Sequence, residues 1–437
     1  MISPLLETPT DGDNAPDDAL PPVPAAAAHD DPSTDDPLAR MEALMAAGER
    51  DAAFAHAEAA IAGRRSSSMT AGLARCLIDM GEPARAAALI EPLAADGGAG
   101  ADALTVMARA LGLCGRHQEA LSLLTEASWL DSRSPEVLLA LANARFAADD
   151  VSRAIGDFER VLRIATGDGA REAEARAEAH FRLGEAWGAM DEPARAARHF
   201  RAAQENDPAD RRGAAIRLAE MDAAGPPKRA SAAYVRALFD GYAPRYDTHM
   251  TGALAYKGPA ALKAAAEAAG LSLSGGYRAI DLGCGTGLSG AAFRPFCAWL
   301  TGVDLSPRMT AAAEASGHYD AVATGDLLTA LAEAGEARFD LALACDTLIY
   351  LGDLAPLFAA LRKALAPQGF FVFSTEKAGP EADGYEIGAT RRFRHTERYL
   401  REMAAAHGFE VVSLGSEALR TEKRQPVESF VGVMRRG

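Results

Sequence analysis

Between Ala279 and Gly287 the chain reads Ala-Ile-Asp-Leu-Gly-Cys-Gly-Thr-Gly, an apolar strand running into a glycine-rich turn, with a helix beginning near Leu288. Gly283 and Gly285 permit backbone angles and a close ligand approach that a Cβ blocks, so a nucleotide-like ligand can lie against the turn. Seventeen residues after Gly287 stands Asp304, within Leu300-Thr301-Gly302-Val303-Asp304-Leu305-Ser306, where an acid can accept both hydroxyls of a ribose. A glycine turn of this kind could equally open a dinucleotide fold of the NAD type. Three details separate the two: Asp281 precedes the first glycine, Leu288 occupies the sixth motif position where the dinucleotide fingerprint wants Gly or Ala, and a second acid follows at a strand end.

These residues need a scaffold. From about 230 onward, short apolar runs at 277–282, 299–304, 319–324, 339–345, 369–375, 409–414 and 429–434 read as strands. Helical patterns at 257–269, 287–294, 306–316, 354–366 and 395–407 alternate with them, which predicts a mostly parallel sheet covered on both faces. Residues 223–230, with Gly225, Pro226 and Pro227, break the pattern and mark a domain boundary.

Upstream of that boundary the sequence repeats. Aligning Gly81-Glu82-Pro83-Ala84-Arg85-Ala86 with Gly115–Ala120 and Asp149–Ala154 places Ala86, Ala120 and Ala154 at a spacing of 34, the period of a helix pair. A fourth unit, with Gly184, Ala196 and Phe200, is displaced by eight residues where Ala165–Ala170 lengthens a connection, and residues 40–62, including Gly48, form a weaker copy.

Half of the 437 residues are apolar (49%) and a quarter charged (24%), enough for more than one packed core. The net charge of −16 is uneven: residues 1–39 hold nine acids and no Lys or Arg, leaving −7 for the rest. Residues 1–36 combine Pro, Ala, Asp and Thr without periodicity and are expected to be a disordered acidic leader. The clustered Lys/Arg of a nucleic-acid-binding surface is missing. Five scattered cysteines without a CxxC pair indicate neither a metal site nor a disulfide framework. The start lacks a basic and apolar leader, and no 18-residue apolar stretch occurs, so the expectation is a cytoplasmic protein without a membrane span.

The repeats resemble the tetratricopeptide family, which implies a protein or peptide partner for their concave surface. The glycine turn and its acids resemble the class I S-adenosylmethionine-dependent methyltransferases, whose acid-x-Gly-x-Gly-x-Gly motif is met by Asp281, Gly283, Gly285 and Gly287. The resemblance implies S-adenosylmethionine as cofactor, with Asp281 holding its amino group, Asp304 its ribose and Asp326 its adenine amine. Cys284, Leu305, Met309 and Leu327 are the neighbouring contacts. A narrower likeness runs through Phe239–Met250, Arg394-His395-Thr396, Tyr399 and Leu419-Arg420, matching bacterial tetratricopeptide-containing methyltransferases; it implies an aromatic lid in which Tyr242 and Tyr246 meet cofactor or acceptor.

The whole chain is thus expected to be multidomain: a leader (1–36), an all-α tetratricopeptide solenoid (37–222) and an α/β Rossmann-like class I methyltransferase domain (230–437) with a seven-stranded, mostly parallel sheet. A base for a protonated acceptor would come from loops after the parallel strands, where Asp346, Tyr350, Glu376 and His395 lie. Asp346–Tyr350 is not Asn/Asp-Pro-Pro-Tyr, which disfavours methylation of DNA amines or glutamine amides. Arg391, Arg392 and Arg394 either steer an anionic acceptor or pair with neighbouring acids. The acceptor, a protein side chain or a small metabolite, is not specified by sequence. The alternative is an adaptor that binds the cofactor without turnover.

Overall fold

The computed structural model describes residues 36–437 apart from 47–48, 63–65, 222–224, 273–275 and 423. The acidic leader, save its last residue, and Gly48 lie outside the described residues. Two compact units emerge, divided between Asn206 and Asp207.

The first unit is helical throughout: α1 (Pro37–Ala46), α2 (Arg50–Ala62), α3 (Ser67–Asp79), α4 (Pro83–Ala95), α5 (Ala101–Leu113), α6 (His117–Leu130), α7 (Pro135–Ala147), α8 (Val151–Ile164), α9 (Ala170–Ala189) and α10 (Pro193–Asn206). Its Ala- and Leu-rich segments are strong helix formers, and successive helices pack in pairs α3/α4, α5/α6, α7/α8 and α9/α10. Each pair is joined by a tight three-residue turn whose middle residue is left-handed: Gly81, Gly115, Asp149 and Asp191, the last displaced by the eight-residue insertion. That conformation ends a helix by offering its amide to the preceding carbonyls. Ala86, Ala120, Ala154 and Ala196 are buried where the paired helices touch. At Gly184 a Cβ would come within 2.6 Å of the Phe200 ring, so only a glycine lets α9 and α10 lie this close.

The second unit opens with α11 (Ala214–Glu220), α12 (Ala232–Tyr242), the short α13 (Tyr246–Thr248) with a π-turn over His249–Ala253, and α14 (Gly258–Ala268). Strands and helices then alternate: β1 (Tyr277–Leu282), α15 (Leu288–Phe293), β2 (Cys297–Asp304), α16 (Pro307–Ala315), β3 (Ala321–Thr324), α17 (Leu327–Ala334), β4 (Phe339–Ala344), α18 (Ala355–Ala364) and β5 (Leu365–Lys377). The chain finishes with β6 (Tyr385–Ile387), β7 (Phe393–His395), α19 (Glu397–Ala406), β8 (Phe409–Glu422) and β9 (Gln425–Arg436).

The sheet runs β3-β2-β1-β4-β5, parallel, with β9 antiparallel to β5 and β8 beyond it. The seven expected strands are all present, but among the described residues the sheet has nine: the three-residue β6 and β7 attach to the end of β5, in a stretch read as loop and helix start. Alternation along the strands sends Ile280, Leu282, Ala342 and Phe371 to one core, under α18 and α19, and Ala279, Leu341, Leu343 and Val372 to the other, against Phe293 and Phe296. By that parity Asp281 enters the second apolar layer.

The domain boundary differs from the sequence reading in two ways. Helix α11 belongs to the second unit, where Ile216 packs with Ala230, Val235 and Phe393. The Pro-rich stretch is anchored rather than a free linker: the Gly352 and Asp353 amides donate to Lys228 O (2.9 and 2.8 Å), and the Ala230 amide donates to Tyr350 O (2.9 Å). Among the described residues no helix is long and apolar enough to cross a membrane.

Candidate active site

The turn after β1 is fixed by its neighbours. The amides of Gly283 and Cys284 both donate to Val303 O, at 2.7 and 3.0 Å. The Gly285 amide donates to Asp304 Oδ2 at 3.0 Å, and the Ser306 amide to Oδ1 at 2.9 Å. Asp304 therefore braces the turn while each oxygen keeps a lone pair for a further donor. Burial pushes its carboxyl up from the usual range; these two amides oppose the rise and Asp240 adds to it.

Gly283 and Gly285 both have positive φ, +78° and +53°. A Cβ on Gly283 would run into the Thr347 side chain, with Cγ2 at 2.9 Å. On Gly285 it would meet nothing nearer than Tyr246 Cε1 at 4.0 Å. The space before Gly285 is the floor of a cleft of about 690 Å³, its open mouth included, at the carboxyl ends of β1, β2 and β4. Gly283, Gly285, Asp304, Leu305, Asp326 and Leu327 line one side; Tyr246, Phe239, Asp346 and Tyr350 line the other.

The segment covering this cleft is latched at three points. Thr286 Oγ1 donates to Asp247 Oδ1 (2.5 Å), Ser306 Oγ to Asp240 Oδ1 (2.5 Å), and Arg236 Nε to Leu305 O (3.1 Å). Beneath the turn, Asp281 is completely buried; its Oδ2 accepts the Tyr319 hydroxyl at 2.8 Å, and its Oδ1 has no partner. Burial raises the Asp281 carboxyl to about 7, Tyr319 pulls it down and Asp304 adds to the rise.

A family profile described as "Methyltransferase domain" matches residues 246–414. By that match residues 246–414 are similar to a methyltransferase domain. Among curated proteins, the ubiquinone biosynthesis O-methyltransferase of Cereibacter sphaeroides is 32% identical over 110 residues, which cover 24% of this chain and 44% of that one. The chain thus spans less than half of that relative's length. Of solved structures, an S-adenosylmethionine-dependent methyltransferase from Mesorhizobium loti is 26% identical with a TM-score of 0.31, covering 40% of this chain and 98% of that one. The 1,6-didemethyltoxoflavin-N1-methyltransferase of Burkholderia thailandensis is 23% identical with a TM-score of 0.37, covering 47% and 88%.

The methyltransferase domain fits S-adenosylmethionine by two independent features. A cradle stands open where a Cβ at position 285 would project, and a fully buried carboxylate oxygen on Asp281 lacks the donor that a ligand ammonium supplies.

Not every residue singled out by sequence reaches the cleft of the methyltransferase domain. Met309 is wholly buried in α16, and Cys284 and Gly287 pack behind the turn. Tyr242 stands in a second layer, its ring 5.1 Å from that of Tyr246 and its hydroxyl on His249. His395 is a correction: it is a strand residue, fully buried, with Nδ1 on Thr375 Oγ1 (2.7 Å) and Nε2 on Gly352 O (3.2 Å). Burial lowers its pKa to about 4, so it stays neutral and structural. Tyr350 does line the cleft, but burial pushes its phenol above the ordinary value, which suits a hydrogen-bond donor rather than a base. Asp326 caps α17 through the Leu328 amide (2.9 Å) and also pairs with Arg229, a cleft residue hidden in the supposed linker. Arg229, Phe239, Thr347 and Tyr319 were not anticipated.

Glu376 and the arginines form a buried network. Arg420 reaches Asp346 (2.5 Å), Glu422 (2.8 Å) and Glu376. Arg392 pairs with Glu376 (2.6 Å) and Glu422 (2.5 Å), Arg394 with Glu376 (3.3 Å), and Arg391 with Glu220 (3.3 Å). The arginines are thus structural partners of acids, and Glu376, 1% exposed, is not solvated.

Gly285→Val tests the cradle. A β-branched side chain at φ +53° costs about 1–2 kcal/mol of stability. Its methyls occupy the cleft, so affinity for S-adenosylhomocysteine should fall about a hundredfold or more in calorimetry. Unchanged affinity would remove the cradle from the binding site.

Proposed function

We propose that the chain transfers a methyl group from S-adenosylmethionine to a protein side chain or a small metabolite, and that its N-terminal repeats recruit the partner or substrate. The observation that carries the reading is Asp304, whose oxygens accept the Gly285 amide of the turn and the Ser306 amide after β2 at the wall of the cleft, where an acid can also accept a ribose diol. The cofactor, when bound, supplies a methyl already activated on a sulfonium sulfur. Asp281, Asp304 and the turn from Gly283 to Gly285 would hold it, with Leu305, Asp326 and Leu327 at the adenine end.

What the chain itself contributes is orientation and dryness. Tyr246 is half-buried: burial first, then Asp346, pushes its phenol well above the ordinary value, so it stays neutral above the turn. The three latches hold α12 and α13 over the cleft and keep water from competing with an acceptor. Asp346, at φ +54° and held by Ser374 Oγ and Arg420, is the carboxylate at the wall for an acceptor that must lose a proton.

For the repeats, the tetratricopeptide likeness and a groove of about 1330 Å³, open mouth included, bordered by Arg109, Leu113, His117 and Leu124, support a peptide-binding role.

Radiolabelled methyl transfer into lysate, separated into protein and small-molecule pools, tests the activity and names the acceptor class. Asp304→Ala should weaken cofactor binding by about 1–3 kcal/mol, the worth of charge-assisted hydrogen bonds. A dissociation constant that does not move shows that another residue holds the ribose, and no label in either pool ends the enzymatic reading.

A further inference from the structure

The surroundings of Asp281 are short of positive charge. Tyr319, from the loop between α16 and β3, donates to Oδ2, and Cys284, Cys297 and Cys345 approach from the turn, β2 and the end of β4. All three thiols are pushed up, burial being the main cause, and stay neutral; the nearest carboxyl is Asp304. Among the described residues no Lys, Arg or His forms an ion pair with Asp281. Gly287, Gly290 and Gly302 leave room for the Tyr319 ring: a Cβ on Gly302 would stand 3.0 Å from it, and the Gly290 amide donates to its hydroxyl at 3.1 Å. The phenol is therefore fixed by backbone on one side and commits its proton to Oδ2 on the other.

We propose that Tyr319 is a positioning residue for cofactor binding: it clamps Oδ2 of Asp281 so that Oδ1 is kept for a ligand ammonium, and loading the site exchanges a carboxyl proton for that cation. The inference rests on the cofactor reading above and adds to it a residue and a proton. The balance is simple. Below neutrality the empty site holds a carboxylic acid; the ammonium arrives with its own protons, the carboxyl gives its proton to solvent, and one ion pair replaces one O–H. Desolvation makes this exchange fall near neutrality rather than near 4, because an uncompensated carboxylate in an apolar layer is the costly state.

The experiment is calorimetric titration of the full chain with S-adenosylhomocysteine from pH 5.5 to 8, in buffers of high and low ionisation enthalpy. The dissociation constant should fall about tenfold per pH unit until about pH 7 and then level off, with close to one proton released per ligand at pH 6 and almost none at pH 8. Methylthioadenosine keeps the ribose and adenine but lacks the amino acid, so its affinity should be flat; that separates Asp281 from any titration of Asp304. Tyr319→Phe keeps the ring and removes the clamp, so its midpoint should move upward, with the affinity loss largest at about pH 5.5–6 and shrinking through pH 7 toward pH 8. A loss equal at every pH would make Tyr319 merely structural and overturn the proposal. So would tight binding without proton release. Absence of binding at all pH values would instead remove the cofactor reading on which the inference stands.

Discussion

Arg420→Met should lower unfolding free energy by about 3–5 kcal/mol, the usual result of removing one partner from a buried ion pair. Arg420 is nearly fully enclosed, and its guanidinium is shared by Asp346 after β4, Glu376 at the end of β5, and Glu422 on β8. Burial works against its charge, but Asp346, Glu376 and Glu422 more than offset that and hold its pKa above the ordinary value. Three guanidiniums (Arg392, Arg394, Arg420) face three carboxylates (Asp346, Glu376, Glu422), so the cluster is neutral as a whole. Methionine matches the volume yet leaves Asp346 and Glu376 without their shared cation in a place water does not reach. The remaining acids must then take up protons or open the strand ends. Urea titration gives the loss, and adding Glu376→Gln to Arg420→Met should recover part of it, because two guanidiniums then face two carboxylates and the cluster is neutral again. A loss under about 1 kcal/mol would place the cluster among ordinary surface pairs.

Asp281→Asn should separate stability from binding. With the folded carboxyl near 7 and its unfolded counterpart near 3.8, the empty wild-type protein loses stability as pH rises between those values, on the order of 4 kcal/mol by pH 8. The sign follows from proton counting: over that interval the folded chain binds the proton and the unfolded chain does not. An amide has no such proton, so the variant should lack this pH-dependent loss and gain on wild type between pH 5 and 8. Its new NH2 finds no ready partner, which costs about 1–3 kcal/mol at every pH. At the acid end the variant is therefore the weaker protein, and the two curves should cross between about pH 4.5 and 6. Cofactor affinity should meanwhile drop about thirtyfold or more, because the ammonium loses its counter-charge. Parallel stability curves for the two proteins would show that Asp281 is not the group that titrates.

The parts legible in sequence are those governed by local pattern. Short apolar runs marked seven strands and the glycine turn marked the cradle, since each depends on residues near it in the chain. That Asp304 braces the turn was not legible, because the Gly285 amide it accepts from lies at the end of a different strand. The 34-residue spacing set Gly81, Gly115 and Asp149 in register, and all three are left-handed turn residues in the structure. What escaped depends on distant partners. Arg229 sits in Gly-Pro-Pro-Lys-Arg, which reads as punctuation, and only the Leu351–Asp353 backbone across the fold makes it a wall residue. His395 was open to a functional reading because a histidine near a strand end invites one. The alternation Phe393 buried, Arg394 half-buried, His395 buried was the overlooked sign of a strand. Tyr319 stands 38 residues from Asp281, and no local rule joins a tyrosine in one loop to an acid in another strand. Asp326 lines the cleft and also caps helix α17 by accepting from the Leu328 amide, so one acid serves two local patterns and the helix does not stand out in the sequence.

Positions 283 and 285 differ in who enforces them. Thr347 forbids any side chain at the first whether or not the cleft is filled, whereas at the second no protein atom stands in the way, and only the left-handed bend and the tenant keep it bare. In a lineage that gave up methyl donation, glycine would persist at 283 as a matter of architecture while 285 drifted toward residues that tolerate a left-handed bend, asparagine first. Comparing drift at these two sites would therefore serve as a fossil record of occupancy, readable without assaying a single protein.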